Sequence, residues 1–154
     1  MKFSLMPSFQ AYTDQSVYLS VLTATPAPEV KNFVETLLER VAGVEVLTSR
    51  TGLAMLPFTD SVKGVTFYLG ETLLAEAHVR VGAQEGYAAC LGRDLEQAIA
   101  LAILDALLQS NEPAALAEQP AILHFVANAH HQQQQEESAL LRKIEATRVE
   151  LETF

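Results

Sequence analysis

The chain has 154 residues, 49% of them hydrophobic and 19% charged, with a formal net charge of −9. That length fits one domain burying roughly two-thirds of its unfolded surface, and an acidic balance without a basic stripe excludes a nucleic-acid surface, since phosphate would be repelled. A single cysteine excludes an internal disulfide; with no signal-like leader and no apolar run of about 20 residues, the sequence reads as a soluble, cytoplasmic protein.

Residues 1–14 show no period and read as a loose leader, with 15–154 as a single α+β domain. Val17, Val21 and Leu22 suggest a short helix that stops before Pro26. From Glu29 to Val41, the residues Val30, Phe33, Val34, Leu37, Leu38 and Val41 recur at helical spacing, and Gly43 follows as a stop. Helices are therefore expected within 15–42. The period then falls to two. The stretches 44–50, 52–58, 65–70, 72–81 and 86–92 are short, rich in β-formers and broken by Gly, Asp, Ser and Lys. Connections this short permit only antiparallel neighbours, which predicts a meander of about four to five strands over 44–92. In 72–81, Leu73, Ala75, Ala77, Val79 and Val81 alternate with Leu74, Glu76, His78 and Arg80, giving one apolar and one largely wet face.

After Gly92 the helical period returns, over 94–109. Asp94 and Gln97 have the spacing of a capping box, in which the Asp oxygen takes a backbone N–H of the first turn. From Ala98 the segment is apolar around its circumference, with Asp105 its only charge. Such a helix is buried on more than one side, so Leu101, Leu104 and Leu108 are expected to meet a partner chain, a second copy when the protein is alone. Pro113 and Pro120 interrupt the next stretch, and a long polar helix is expected from about Ala121 into the 140s, within a helical arm and tail over 114–154. At the end, Thr147, Val149, Leu151 and Thr153 alternate with Arg148, Glu150, Glu152 and Phe154. That pattern predicts a strand over 147–153 that adds to the sheet edge of a neighbouring chain, with Val149 and Leu151 in the interface.

Candidate sites are few. One reading has Arg93 bind a phosphate or carboxylate at the N-terminus of helix 94–109. The plainer reading is a cap plus a surface ion pair, because Asp94 in the cap position would repel an anion. Cys90 lies in a strand with no base placed beside it and reads as core. His124, Asn128 and His131 share a helical face, yet His130 and His131 point about 100° apart and serve one metal poorly. His78 sits on the wet face without an evident acid or nucleophile. Phosphate loop, serine elbow, paired-Cys and HExxH motifs are missing from the sequence. No catalytic residue, metal or cofactor is expected of this chain.

The fragments TGL (51–53), FYLGE (67–71), AHV (77–79), GYAACLGRD (86–94) and DALL (105–108) share one order and spacing. Together they resemble the PhnG family, a subunit of the bacterial carbon–phosphorus lyase core complex; YLSVL (18–22) and EATRVELETF (145–154) extend the match over nearly the whole chain. Where the family often carries an Arg a few residues before a Trp, this chain has Asp14 and Gln15 ahead of Tyr18. The resemblance implies a non-catalytic, obligatory subunit working with PhnI-, PhnH- and PhnJ-like partners and ATP-binding-cassette-type proteins. In the first committed step of that pathway, methylphosphonate displaces adenine from ATP to give ribose 1-methylphosphonate 5-triphosphate. ATP is there a substrate of the complex rather than a cofactor of this chain. The nucleosidase chemistry belongs to PhnI and the radical C–P cleavage to PhnJ, and no catalytic residue transfers to PhnG. Two alternatives from other classes stay open: a homo-oligomeric module binding an anionic metabolite, and a stand-alone enzyme using Arg93, Asp94 and Cys90.

Overall fold

The computed structural model of the protein describes residues 9–148. A single 3-10 turn, Phe9–Tyr12, precedes helix α1 (Gln15–Ala24). Asp14 starts that helix: its side chain accepts the backbone N–H groups of Ser16 and Val17, two donors that have no partner inside the helix. Tyr12 is buried and its hydroxyl meets His130 Nδ1 at 2.9 Å. The second half of the expected loose leader thus belongs to the fold. Helix α2 (Ala27–Leu38) opens with Pro28 in its first turn, where the missing N–H costs nothing. It buries Val30, Val34 and Leu37 at helical spacing.

The sheet has three antiparallel strands in the order β1-β2-β3, namely β1 (Val44–Thr59), β2 (Thr66–Val81) and β3 (Gln84–Leu91). The antiparallel meander is as expected, but the strands are fewer and longer. Gly52 and Gly70, which read as breakers in the sequence, lie inside strands, paired with Leu74 and Leu56. The glycines with positive φ are Gly43, Gly64, Gly82 and Gly92, and these mark the strand ends. Pro57 is accommodated at a register shift between Leu56 and Pro57 on the sheet's outer strand, a usual place for a residue without an N–H.

Helix α3 (Leu95–Gln109) lies against the inner sheet face, and helix α4 (Pro113–Ala146) closes the chain. The polar helix is longer than its prolines suggested. Pro113 occupies the favoured first position, and Pro120 sits exposed within the helix, costing one internal bond. Burial of Ala115, Ile122, Val126 and Ala129 offsets that loss. At 34 residues α4 is about 50 Å long. Thr147 and Arg148 close the helix in a turn, their N–H groups bonded to Ile144 O and Glu145 O, and residues 149–153 of the expected terminal strand, with Val149 and Leu151, lie outside the described residues.

Helix α3 is the centre of the core. Ala75, Ala77, Val79, Ala88 and Cys90 of the sheet cover one side, while Tyr18 and Leu22 of α1, Val30 and Val34 of α2, and Ile122 and Val126 of α4 belong to the same buried cluster. Leu101 and Leu104 are 0% exposed. The partner surface expected at those two residues is therefore corrected: the chain's own helices and sheet cover them. Leu108 is partly buried and packs on the same core.

Two local features seat α3 on the sheet. Gly86 faces its backbone: an added Cβ would come within 2.7 Å of Ala106 Cβ, and closer still to the Ala102 carbonyl oxygen and the Ala106 nitrogen. Beside it, the carboxylate of Asp105, 1% exposed, gathers three neutral donors. Oδ1 accepts from the Tyr18 hydroxyl at 2.6 Å and from Gln15 Nε2 at 2.9 Å, and Oδ2 accepts from the Tyr87 backbone N–H at 2.9 Å. Among the described residues no strand lies beyond β3, so Asp105 satisfies an N–H that pairing would otherwise take. Burial first, and the Asp105 carboxylate second, push the Tyr18 hydroxyl well above the usual phenol range, which keeps it a donor.

Asp105→Asn is expected to destabilise the protein by about 1–3 kcal/mol, because an amide offers one acceptor oxygen for donors now shared by two. Tyr18→Phe should cost less, since it removes one donor and keeps the others paired. Urea denaturation of the three proteins checks the order; an Asp105→Asn protein as stable as the parent would contradict it.

Candidate interaction surface

The segment 86–94 resolves into separate duties. Gly86 permits close packing, and Cys90 is 4% exposed on the inner face. Gly92, at φ +98°, turns the chain toward α3 while its N–H bonds Leu73 O at 2.9 Å. Asp94 caps α3 through a 2.9 Å bond from the Gln97 N–H. Its second oxygen takes Lys31 Nζ of α2 at 2.8 Å, and Lys31 also reaches Glu96 at 3.1 Å. The Lys31 bond, followed by the Gln97 N–H, holds the Asp94 carboxyl below the usual carboxylate range. The ion-pair partner of Asp94 is thus Lys31 rather than its neighbour Arg93. Lys31 was invisible as such, because it lies on another helix and carries no local pattern.

Arg93 is exposed and has no ion pair among the described residues. Burial raises the Cys90 thiol above its ordinary value, and its Sγ–H faces only the Asp94 carbonyl, at 3.9 Å. The three side chains do not converge on a common point of attack. Asp94 is occupied by the cap and Lys31, and Cys90 is sealed beneath the sheet.

The histidines of α4 disperse as well. His130 meets Tyr12, His124 Nδ1 contacts Asn128 Nδ2 at 3.2 Å, and His131 Nε2 contacts Gln135 Nε2 at 2.9 Å. Among the described residues no three His, Cys, Asp or Glu side chains gather as a metal site. Two glutamines act structurally. Gln133 donates to Val21 O at 3.0 Å, and Gln119 donates to Leu107 O at 2.9 Å and Ser110 O at 2.8 Å. They occupy carbonyls at the C-terminal ends of α1 and α3, which have no partner inside their own helices.

The outer face of the sheet is a ladder of charged pairs. Arg80 bridges Glu45 at 3.2 Å and Glu85 at 2.8 Å, and Glu85 also holds His78 Nε2 at 2.9 Å. Nearer the hairpin, Glu76 accepts from Arg50 and from the Tyr87 hydroxyl, the latter at 2.5 Å. His78 therefore does have an acid beside it, supplied by the β2–β3 register that sets Arg80 opposite Glu85. Tyr87 first, then Arg50, lowers the Glu76 carboxyl, and Arg80 first, then His78, lowers that of Glu85. Each acid on this face is already partnered, so the ladder offers no free base. Such exposed pairs are screened by water and salt and set geometry more than stability.

Beyond the ladder, β1 and β2 run on as a two-stranded hairpin arm, residues 51–73, because β3 pairs only with Leu74 to Val81. Leu53 is 65% exposed, Tyr68 62% and Leu69 63%, although all three are large and apolar or aromatic. The tip of α4 also exposes Leu140, Leu141 and Ile144. Both regions leave large apolar side chains to solvent.

Asp94→Ala is expected to lower stability by about 1 kcal/mol through the lost cap, whereas Arg93→Ala should stay within about 0.5 kcal/mol of the parent. Chemical denaturation distinguishes them. Equal stability of the Asp94→Ala protein would remove the cap as the reason for an acid at this position.

Among the described residues, no helix is long and apolar enough to cross a membrane. A family model described as "phosphonate metabolism protein PhnG" matches residues 14–154, from the cap of α1 onward. No curated relative matches the chain.

Proposed function

Because the chain belongs to the PhnG family of phosphonate metabolism proteins, we propose that it is a non-catalytic, obligatory subunit of a cytoplasmic carbon–phosphorus lyase complex. Its partners in this reading are PhnI-, PhnH- and PhnJ-like chains. The reaction it supports is displacement of adenine from ATP by methylphosphonate, with the chemistry carried by other subunits and with no cofactor held by this one. One contrast supports the reading. The residues from which a stand-alone enzyme would be built, Arg93, Asp94 and Cys90, stay apart, while large apolar side chains along the hairpin arm are left to solvent.

Within such a complex Arg93 has a role open to it. It is exposed and unpaired among the described residues, so it would contribute its charge to an anionic group at a site shared with a partner. The segment 147–153, with Val149 and Leu151, would add to a partner's sheet edge. A homodimer built on α3 loses its premise, because α3 is covered within its own chain.

The purified chain is expected to release no adenine from ATP and methylphosphonate by itself. Co-produced with its partners it should be required for that release. Adenine appearing above a blank with the chain alone, and lost in Arg93→Ala or Cys90→Ala, would contradict the subunit reading.

A further inference from the structure

Among the described residues, none covers the large apolar side chains of the hairpin arm. Its two faces are both apolar. Leu53 pairs with Leu73 two residues beyond the Thr51–Ala75 pair, so these leucines continue the face that carries the buried Ala75, Ala77 and Val79. Phe58 pairs with Phe67 on the opposite face, their rings 5.5 Å apart and edge to face. Phe58 is 48% exposed, Phe67 45% and Met55 55%, so neither face is covered.

Both long edges of the arm are open as well. β1 is the outer strand of the sheet, and β3 stops opposite Leu74, so among the described residues no strand pairs with 66–72 of β2 on its far side. A lone two-stranded ribbon is marginal in water, and its extra edges invite pairing with another chain. Large apolar or aromatic side chains from Leu53 to Leu69 stand exposed along the arm on both of its faces, and clustered exposure of this kind marks an interaction surface.

The two-faced form decides what covers it. Two copies related by a two-fold axis would press one face of each ribbon together and leave the other face wet, or would join edges and leave both faces wet. A groove enclosing the ribbon on both sides covers everything. Charge adds a second criterion. Residues 51–73 carry Asp60, Lys63 and Glu71, net −1, so the remaining residues hold −8 of the chain's −9. An arm with a net charge of only −1 on an acidic body fits an apolar cleft whose rim is basic.

We infer that the arm 51–73 is a docking element that inserts into an apolar, basic-rimmed cleft of an unlike protein chain. The inference rests on the subunit reading and names the surface through which this subunit assembles. Both strands feed into the part of the sheet that α3 supports, so a partner gripping the arm is coupled directly to the folded body.

The test uses the full chain co-produced with PhnI-, PhnH- and PhnJ-like subunits, together with Leu53→Glu on one face and Phe67→Glu on the other. Both sites are exposed, so circular dichroism and the unfolding midpoint should stay near the parent's. Each substitution alone is expected to weaken co-purification at least tenfold, and raised salt should weaken the parent's binding. If both variants assemble as the parent does, the arm is not the docking element. An effect confined to one face overturns the enclosing cleft in favour of a flat contact. A parent chain that dimerises alone, and becomes monomeric on Leu53→Glu, overturns the unlike partner. A parent chain that stays alone while its partners release adenine without it sinks the subunit reading and this inference together.

Discussion

A single carboxylate organises this fold. Asp105 lies at 1% exposure in the apolar stretch of α3 that begins at Ala98, where an unpaired charge would be strongly unfavourable. Among the described residues no cation pairs with it; three neutral donors from two other parts of the chain compensate it instead. Gln15 and Tyr18 bring the first helix onto α3, and the Tyr87 N–H brings the edge strand. Gly86, one residue before Tyr87, lets the strand come close enough for that bond. Remove the carboxylate and the edge strand, α1 and α3 lose their common anchor.

With that anchor in place, the apolar circumference of α3 is consumed inside the chain. Small inner-face residues, Ala75, Ala77 and Ala88, let the helix sit close to the sheet, and the helices cover the other sides. The polar face of the sheet is equally self-contained, with acid and base matched along it. Unmatched apolar side chains remain on the half of the hairpin that projects past β3 and at the tip of α4. The protein thus divides into a self-sufficient body and an apolar arm, a division suited to a subunit.

Much of this was legible in the residues. Helical spacing in Val30, Val34 and Leu37 and the alternation through Ala75, Ala77 and Val79 set the buried faces, and Asp94 three residues before Gln97 marked the start of α3. Other features were not. Gly52 and Gly70 mimic turns because composition does not report φ, and here both are extended within strands. Pro120 looks like a helix boundary because local propensity ignores the packing of Ile122 and Val126. The all-round apolar stretch of α3 points to a partner chain when only the sequence is considered, since sequence shows that a helix must be covered but not by what. Lys31 at Asp94, Glu85 at His78 and Gln133 at the end of α1 are contacts between distant parts of the chain or across a hairpin register, which no local pattern encodes.

The core is closed around α3, while the large apolar side chains of the arm stay exposed. Amide hydrogen exchange of the isolated chain tests this arrangement most directly. The account predicts slow exchange across α3, at the Tyr87 N–H and through Leu74 to Val81, with rapid exchange from Leu53 to Phe58 and from Phe67 to Leu73. An arm protected as strongly as the sheet's root in the monomeric chain, or an α3 that exchanges as fast as the arm, would contradict it.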